Sequence, residues 1–139
     1  MHTRLNEILE DNNLDLFFSK MDRAGFYYPK AKAVILNEKL QGSPEANFAA
    51  AHEIAHHLAD HVEYNVLCSN YIANSKLEHE ANKIAINILL SIYVEDFNGS
   101  MEMFNIERFM SYYGIKSNLL DLCEKECMSF FKQKEFIYI

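Results

Sequence analysis

Residues 52–56 read His52-Glu53-Ile54-Ala55-His56, a match to H-E-x-x-H. On a helix, residues four apart lie on one face, one turn from each other. His52 and His56 can therefore offer two imidazoles to one ion. Zinc takes neutral imidazole nitrogen, and a catalytic zinc needs three protein ligands plus an open position for water. Glu53 is offset around the helix. From there it can reach a water on the ion without ligating it, and accept that water's proton during attack on a carbonyl. His57 and His61 repeat the spacing about 100° further round, but Leu58 occupies the position a general base would need. That second pair reads as a solvated one near a helix end that favours positive charge.

A two-histidine site needs a third donor. The next helical stretch offers Glu78, His79 and Glu80. Helical phase separates them. Glu78 shares a face with Ala81, Asn82, Ala85 and Leu89, whereas Glu80 points about 200° away, towards Lys83 and Asn87. Small residues at 81 and 85 allow close approach to the histidine helix, which favours Glu78. The competing role for Glu78 is structural: Ser75-Lys76-Leu77-Glu78 also spells a capping box. Asn82, one turn beyond Glu78, is placed to hydrogen-bond a histidine ligand.

The elements that must hold these residues can be read along the chain. Residues 3–21 pattern as an amphipathic helix with Leu5, Ile8, Leu9, Leu14, Phe17 and Phe18 inward, interrupted if at all by Asn12-Asn13. "AGFYYP" and "KAVILNEKL" read as two short strands in a hairpin. In "QGSPEANFAAAHEIAHHLADH", Ser43 is a candidate cap, Pro44 suits the first helical position and Glu45 favours the positive helix end. A polar stretch, "VEYNVLCSNYIANS", leads to the helix "KLEHEANKIAINILLSIYV". Two more helices follow, with Gly114 as a stop and Ser117 as a cap, and the tail "EFIYI" is strand-like. The expected fold class is α+β, mainly helical. A small antiparallel sheet lies in the N-terminal half and a helical part spans about 100–139, all in one domain, 1–139.

The 139 residues are half hydrophobic and 24% charged, with a net charge of −7. That balance suits a globular protein and argues against phosphate-backbone binding by the whole surface. Apolar runs are too short to cross a bilayer, and the N-terminus lacks the apolar core of a secretory signal. Three cysteines without framework spacing fit a reducing cytoplasm. Cys123 and Cys127, one helical turn apart, read as core thiols. Tyr28, Tyr64, Tyr71 and Tyr93 are candidate donors to a developing oxyanion, with nothing to choose among them.

Taken in order, His52-Glu53-Ile54-Ala55-His56 and the later Glu78-His79-Glu80-Ala81-Asn82-Lys83-Ile84-Ala85 with Leu89-Leu90 resemble the ImmA/IrrE family of metallopeptidases. The similarity spans roughly residues 24–95. Ala55 stands where that family usually has glycine, Ile84 where it usually has phenylalanine, and Ser91-Ile92 where Met-Pro often follows. The resemblance implies a zincin-like core of the gluzincin type, with zinc on His52, His56 and Glu78 and with Glu53 as base. It also implies a setting in phages, mobile elements or stress responses, and a protein partner, a helix-turn-helix repressor. The expected function is a zinc-dependent endopeptidase that cuts such a regulator. The alternative is a zinc-containing module that disables it by binding alone.

Overall fold

The computed structural model describes residues 1–60, 71–97 and 104–137. Five helices and three strands follow in the order α1 (Thr3–Asp11), β1 (Asp15–Ser19), β2 (Gly25–Tyr28), β3 (Ala33–Asn37), α2 (Glu45–Leu58), α3 (Tyr71–Phe97), α4 (Ile106–Tyr113) and α5 (Leu120–Ile137). The protein is α+β and mainly helical, with its sheet in the N-terminal half. None of the described helices is long and apolar enough to cross a membrane.

The first helix is shorter than its periodicity suggests. Asn13 takes a left-handed conformation, φ 56°, and the Leu14 and Asn13 amides donate to the carbonyls of Leu9 and Glu10. This is the capping arrangement that ends a helix on a left-handed residue, with asparagine in glycine's usual place. The chain beyond it becomes β1, not a continuation of α1. Strand alternation then leaves Phe17 54% exposed, whereas Leu5, Leu9 and Leu14 are buried as expected.

β2 and β3 form the expected antiparallel hairpin, with Gly25 opposite Leu36 and Tyr28 opposite Ala33. β1 joins β3 on its other side in parallel, so the sheet is mixed and ordered β1-β3-β2. The expectation of a purely antiparallel sheet fails because β1 was hidden inside an apparent helix. β3, the middle strand, is the most buried of the three: Ala33, Val34 and Leu36 are all within the core.

α2 packs against α3, the sheet, α1 and α4. Ala46, Ala49, Ala50, Ala51, Ile54 and Ala55 are buried around it. Alanine lets neighbours approach on several sides at once, which a helix with one apolar stripe could not do. Ala81 and Ala85 on α3 are fully buried, so α2 and α3 meet through small residues.

Several end signals differ from expectation. The Ser43 hydroxyl donates to the Leu40 carbonyl at 2.7 Å instead of capping α2. Ser117 opens a short 3-10 turn, Ser117–Leu119, that runs into α5. The tail is not a strand through residue 137, because α5 extends to Ile137. Cys123 and Cys127 are buried in α5, and burial pushes their thiols up to about 11 and about 12, which suits inert core groups.

Gly114 does stop α4, at φ 67°, with the Ile115 amide donating to the Met110 carbonyl at 2.8 Å. A methyl group there would lie 2.4 Å from the Glu45 backbone and 2.5 Å from Pro44. Only glycine satisfies both the conformation and the contact. Gly114→Ala should therefore cost on the order of 3 kcal/mol or more, from left-handed strain plus a backbone clash. Denaturant unfolding of the two proteins measures it.

Candidate metal centre

Helix α2 carries His52, Glu53 and His56 into the interior. His56 is fully buried, Glu53 is 6% exposed, and His52 is partly buried. One ligand-capable atom from each of the three lies within 4.8 Å of the others. The imidazole rings of His52 and His56 meet edge to face, with their Nε2 atoms 3.2 Å apart.

Helix α3 brings Glu78 to the same point. Its carboxylate reaches His52 Nε2 at 2.8 Å and His56 Nε2 at 3.2 Å. The helical phase read from the sequence is the phase observed: Ala81, Ala85 and Leu89 are buried, while His79, Glu80 and Lys83 are exposed. The capping-box alternative for Glu78 fails on position. α3 begins at Tyr71, so Ser75 lies inside the helix and has no free helix end to cap.

Asn82 completes the arrangement. Its side-chain oxygen lies 2.8 Å from His52 Nδ1. A carbonyl oxygen only accepts, so Nδ1–H donates, which leaves Nε2 as the ring nitrogen that faces His56 and Glu78.

The donor set suits a metal ion. Two imidazole nitrogens and a carboxylate crowd within 2.8–3.2 Å. Ligands about 2.0–2.1 Å from a tetrahedral zinc stand roughly 3.3 Å from one another. Electron-rich atoms that close repel unless a proton or cation sits among them. Without metal, protons do this work. Burial alone would lower the basicity of His52, but the hydrogen bond to Glu78 and the charges of Glu53 and Glu78 raise it overall. Glu53 is pushed up to about 7, chiefly by burial and also by Glu78, against the opposing pull of His52 and Arg23.

The centre opens onto a cavity of about 270 Å³. One wall is α2 (Phe48, Ala49, His52 and Glu53), and the facing wall is the α4–α5 connection, with Gly114, Lys116, Asn118 and Leu119. That facing wall was invisible in the sequence, because only tertiary packing brings residues 114–119 opposite α2. Arg23 and Gly25, beside Glu53, were likewise missed.

The other candidates fall elsewhere. His57 is not simply solvated: it is half-buried, and its Nδ1 is hydrogen-bonded to the Tyr27 hydroxyl at 2.9 Å. His61 and Tyr64 lie outside the described residues. Tyr28 is exposed and stacked on Phe26, and Tyr93 sits in an aromatic cluster with Phe104, Phe109 and Tyr113. Ala55, where the resembled family has glycine, is fully buried within α2.

A helix-rich α+β fold that presents H-E-x-x-H beside a glutamate from the next helix is the framework of a metallopeptidase. The family model described as the IrrE N-terminal-like domain, a peptidase family, matches residues 10–120. The chain belongs to that metallopeptidase family. No curated protein and no solved structure matches it.

The raised carboxyl of Glu53 has a consequence for stability. In metal-free protein its folded pKa, about 7, exceeds the ordinary 4.5, so the fold prefers the neutral form. Its contribution is intact below pH 4.5 and is lost as the pH rises towards 7. Glu53→Gln is neutral throughout. In the presence of a chelator, the variant should gain on the parent across that window by on the order of 2–3 kcal/mol. Unfolding curves at pH 4.5 and pH 7.5 check this.

Proposed function

We propose that the protein is a zinc-dependent endopeptidase of the cytoplasm that cuts a regulatory protein, with a helix-turn-helix repressor as the expected substrate. The observation that carries the reading is the convergence of His52, His56 and Glu78 within 3.2 Å beside the buried Glu53. Two imidazoles and one carboxylate are a donor set that catalytic zinc uses. The resemblance of the two motifs to ImmA/IrrE proteins supports the choice of substrate.

His52, His56 and Glu78 would hold the ion, which when bound polarises the scissile carbonyl and lowers the pKa of water. The rest is the work of the chain. Asn82 holds His52 in the tautomer whose Nε2 is free to ligate. Glu53 accepts a proton from the attacking water and passes it to the departing amine nitrogen. Phe48, Ala49, Leu40 and Leu119 give the cleft apolar surface for side chains beside the cut.

Strand β2 supports a polypeptide substrate. It is an edge strand, paired with β3 alone among the described strands, and it starts next to the cleft at Ala24. An extended peptide could add to its outer side through main-chain hydrogen bonds.

Metal analysis should find about one zinc per chain, as a single three-ligand site requires. His52→Ala and His56→Ala should lose most of it, and Glu78→Gln should bind it weakly. Glu80→Gln should stay close to the parent. Full occupancy in both histidine variants would refute the site.

Glu53→Gln separates cleavage from binding. It should retain zinc and slow proteolysis about a hundredfold or more. Mass spectrometry of the candidate repressor after incubation reads the outcome. A partner inactivated without any change in mass would instead support the binding module.

A further inference from the structure

Gly25 occupies a strand position where glycine is unfavourable. A glycine in a strand loses entropy on folding and has no side chain to pack. Its backbone is not in the left-handed region, which among the described glycines is confined to Gly42 and Gly114. Any residue could adopt this conformation, so conformation does not explain the glycine.

Space does. A methyl group on Gly25 would lie 3.2 Å from Glu53 Cγ, 3.2 Å from Glu53 Oε2, and 3.0 Å from Leu36 Cδ2. All three distances are tighter than ordinary carbon contacts. Something must yield. Leu36 is the cross-strand neighbour of Gly25, fully buried in the core, and a close-packed interior has no room to receive it. Glu53 borders the cavity. It is the group that can move.

We propose that Gly25 is a positioning residue for Glu53: the bare backbone of β2 closes over the carboxylate and holds it against α2, and a side chain at this position displaces it into the cleft. The proposal rests on the reading of Glu53 as the base. It also links the two structures that handle a substrate. β2 is the edge strand beside the cleft, and a shift of its first residue acts directly on the base.

The test pairs Gly25→Ala with truncation of its neighbour. Melting temperatures are measured on metal-free Gly25→Ala, Glu53→Ala and the double variant. Gly25→Ala should lower the melting temperature of the parent. In the Glu53→Ala background the loss should fall to roughly half or less, since alanine in a compatible strand otherwise restricts the unfolded chain. An equal loss in both backgrounds would overturn the proposal.

The second arm uses zinc-loaded protein and a mixed-sequence fluorogenic peptide library. Gly25→Ala should bind zinc within about twofold of the parent and keep its KM. Its kcat should drop by roughly threefold to tenfold, since the close contacts displace a reacting group by a few tenths of an ångström. Unchanged kcat with zinc bound would also overturn the proposal. If the parent itself cleaves nothing in the library or the repressor, the peptidase reading fails, and the melting cycle still decides whether Gly25 positions Glu53.

Discussion

The rest of the structure follows from one constraint: three polar side chains, His52, Glu53 and His56, are carried by a helix that is buried on most of its surface. Burying ionisable groups is costly unless each finds a partner. The neighbours of α2 are accordingly arranged around those three. Glu78 comes from α3 to face both imidazoles, and Asn82 fixes the first of them. For α3 to come that near, the surfaces between the helices must be small, and Ala50, Ala51, Ala55, Ala81 and Ala85 are all fully buried. The alanines and the polar residues are parts of one solution. Larger residues at the interface would improve apolar burial and pull the donors apart.

The cleft depends on a second close approach, at the other end of α2. Gly114 rests on the backbone of Pro44 and Glu45, which fixes the α4–α5 connection relative to the first turn of α2. Lys116, Asn118 and Leu119 continue from that fixed point to form the wall opposite His52 and Glu53. Buried Ile115 anchors the same segment, through an amide that closes the end of α4. Backbone contact at Gly114 thus fixes where that wall begins.

How much of this the sequence revealed depended on the range of the interactions involved. His52, Glu53 and His56 were legible because their relationship is local, a spacing on one helix. Glu78 and Asn82 were legible at one remove: periodicity fixed which face of α3 they share, and the alanines on that face indicated what it meets. The break after α1 falls at Asn12-Asn13, the candidate interruption, but Leu14, Phe17 and Phe18 continue a helical pattern that conceals the strand beyond it. The deciding signal was Asn13 in a left-handed turn, and asparagine announces that weakly. The parallel pairing of β1 was missed with that strand. Gly25 and the wall at residues 114–119 were out of reach for a different reason. Their roles lie in what packs against them, and neither a glycine in a strand nor a loop after a helix says which distant side chain that is.

The donor set also does structural work in holding α3. Along the second and third turns of that helix, Ser75, Lys76, His79 and Glu80 are exposed. Further along, from Ala81 to Leu90, the residues Ala81, Ala85, Ile86, Leu89 and Leu90 are all fully buried. Glu78, on the same stretch as those exposed residues, ties α3 to α2 through both imidazoles. Without metal that tie consists of the contacts from the Glu78 carboxylate to the two imidazole nitrogens. A cation among the same atoms would replace it with bonds that the unfolded chain cannot form, so binding energy would become folding energy.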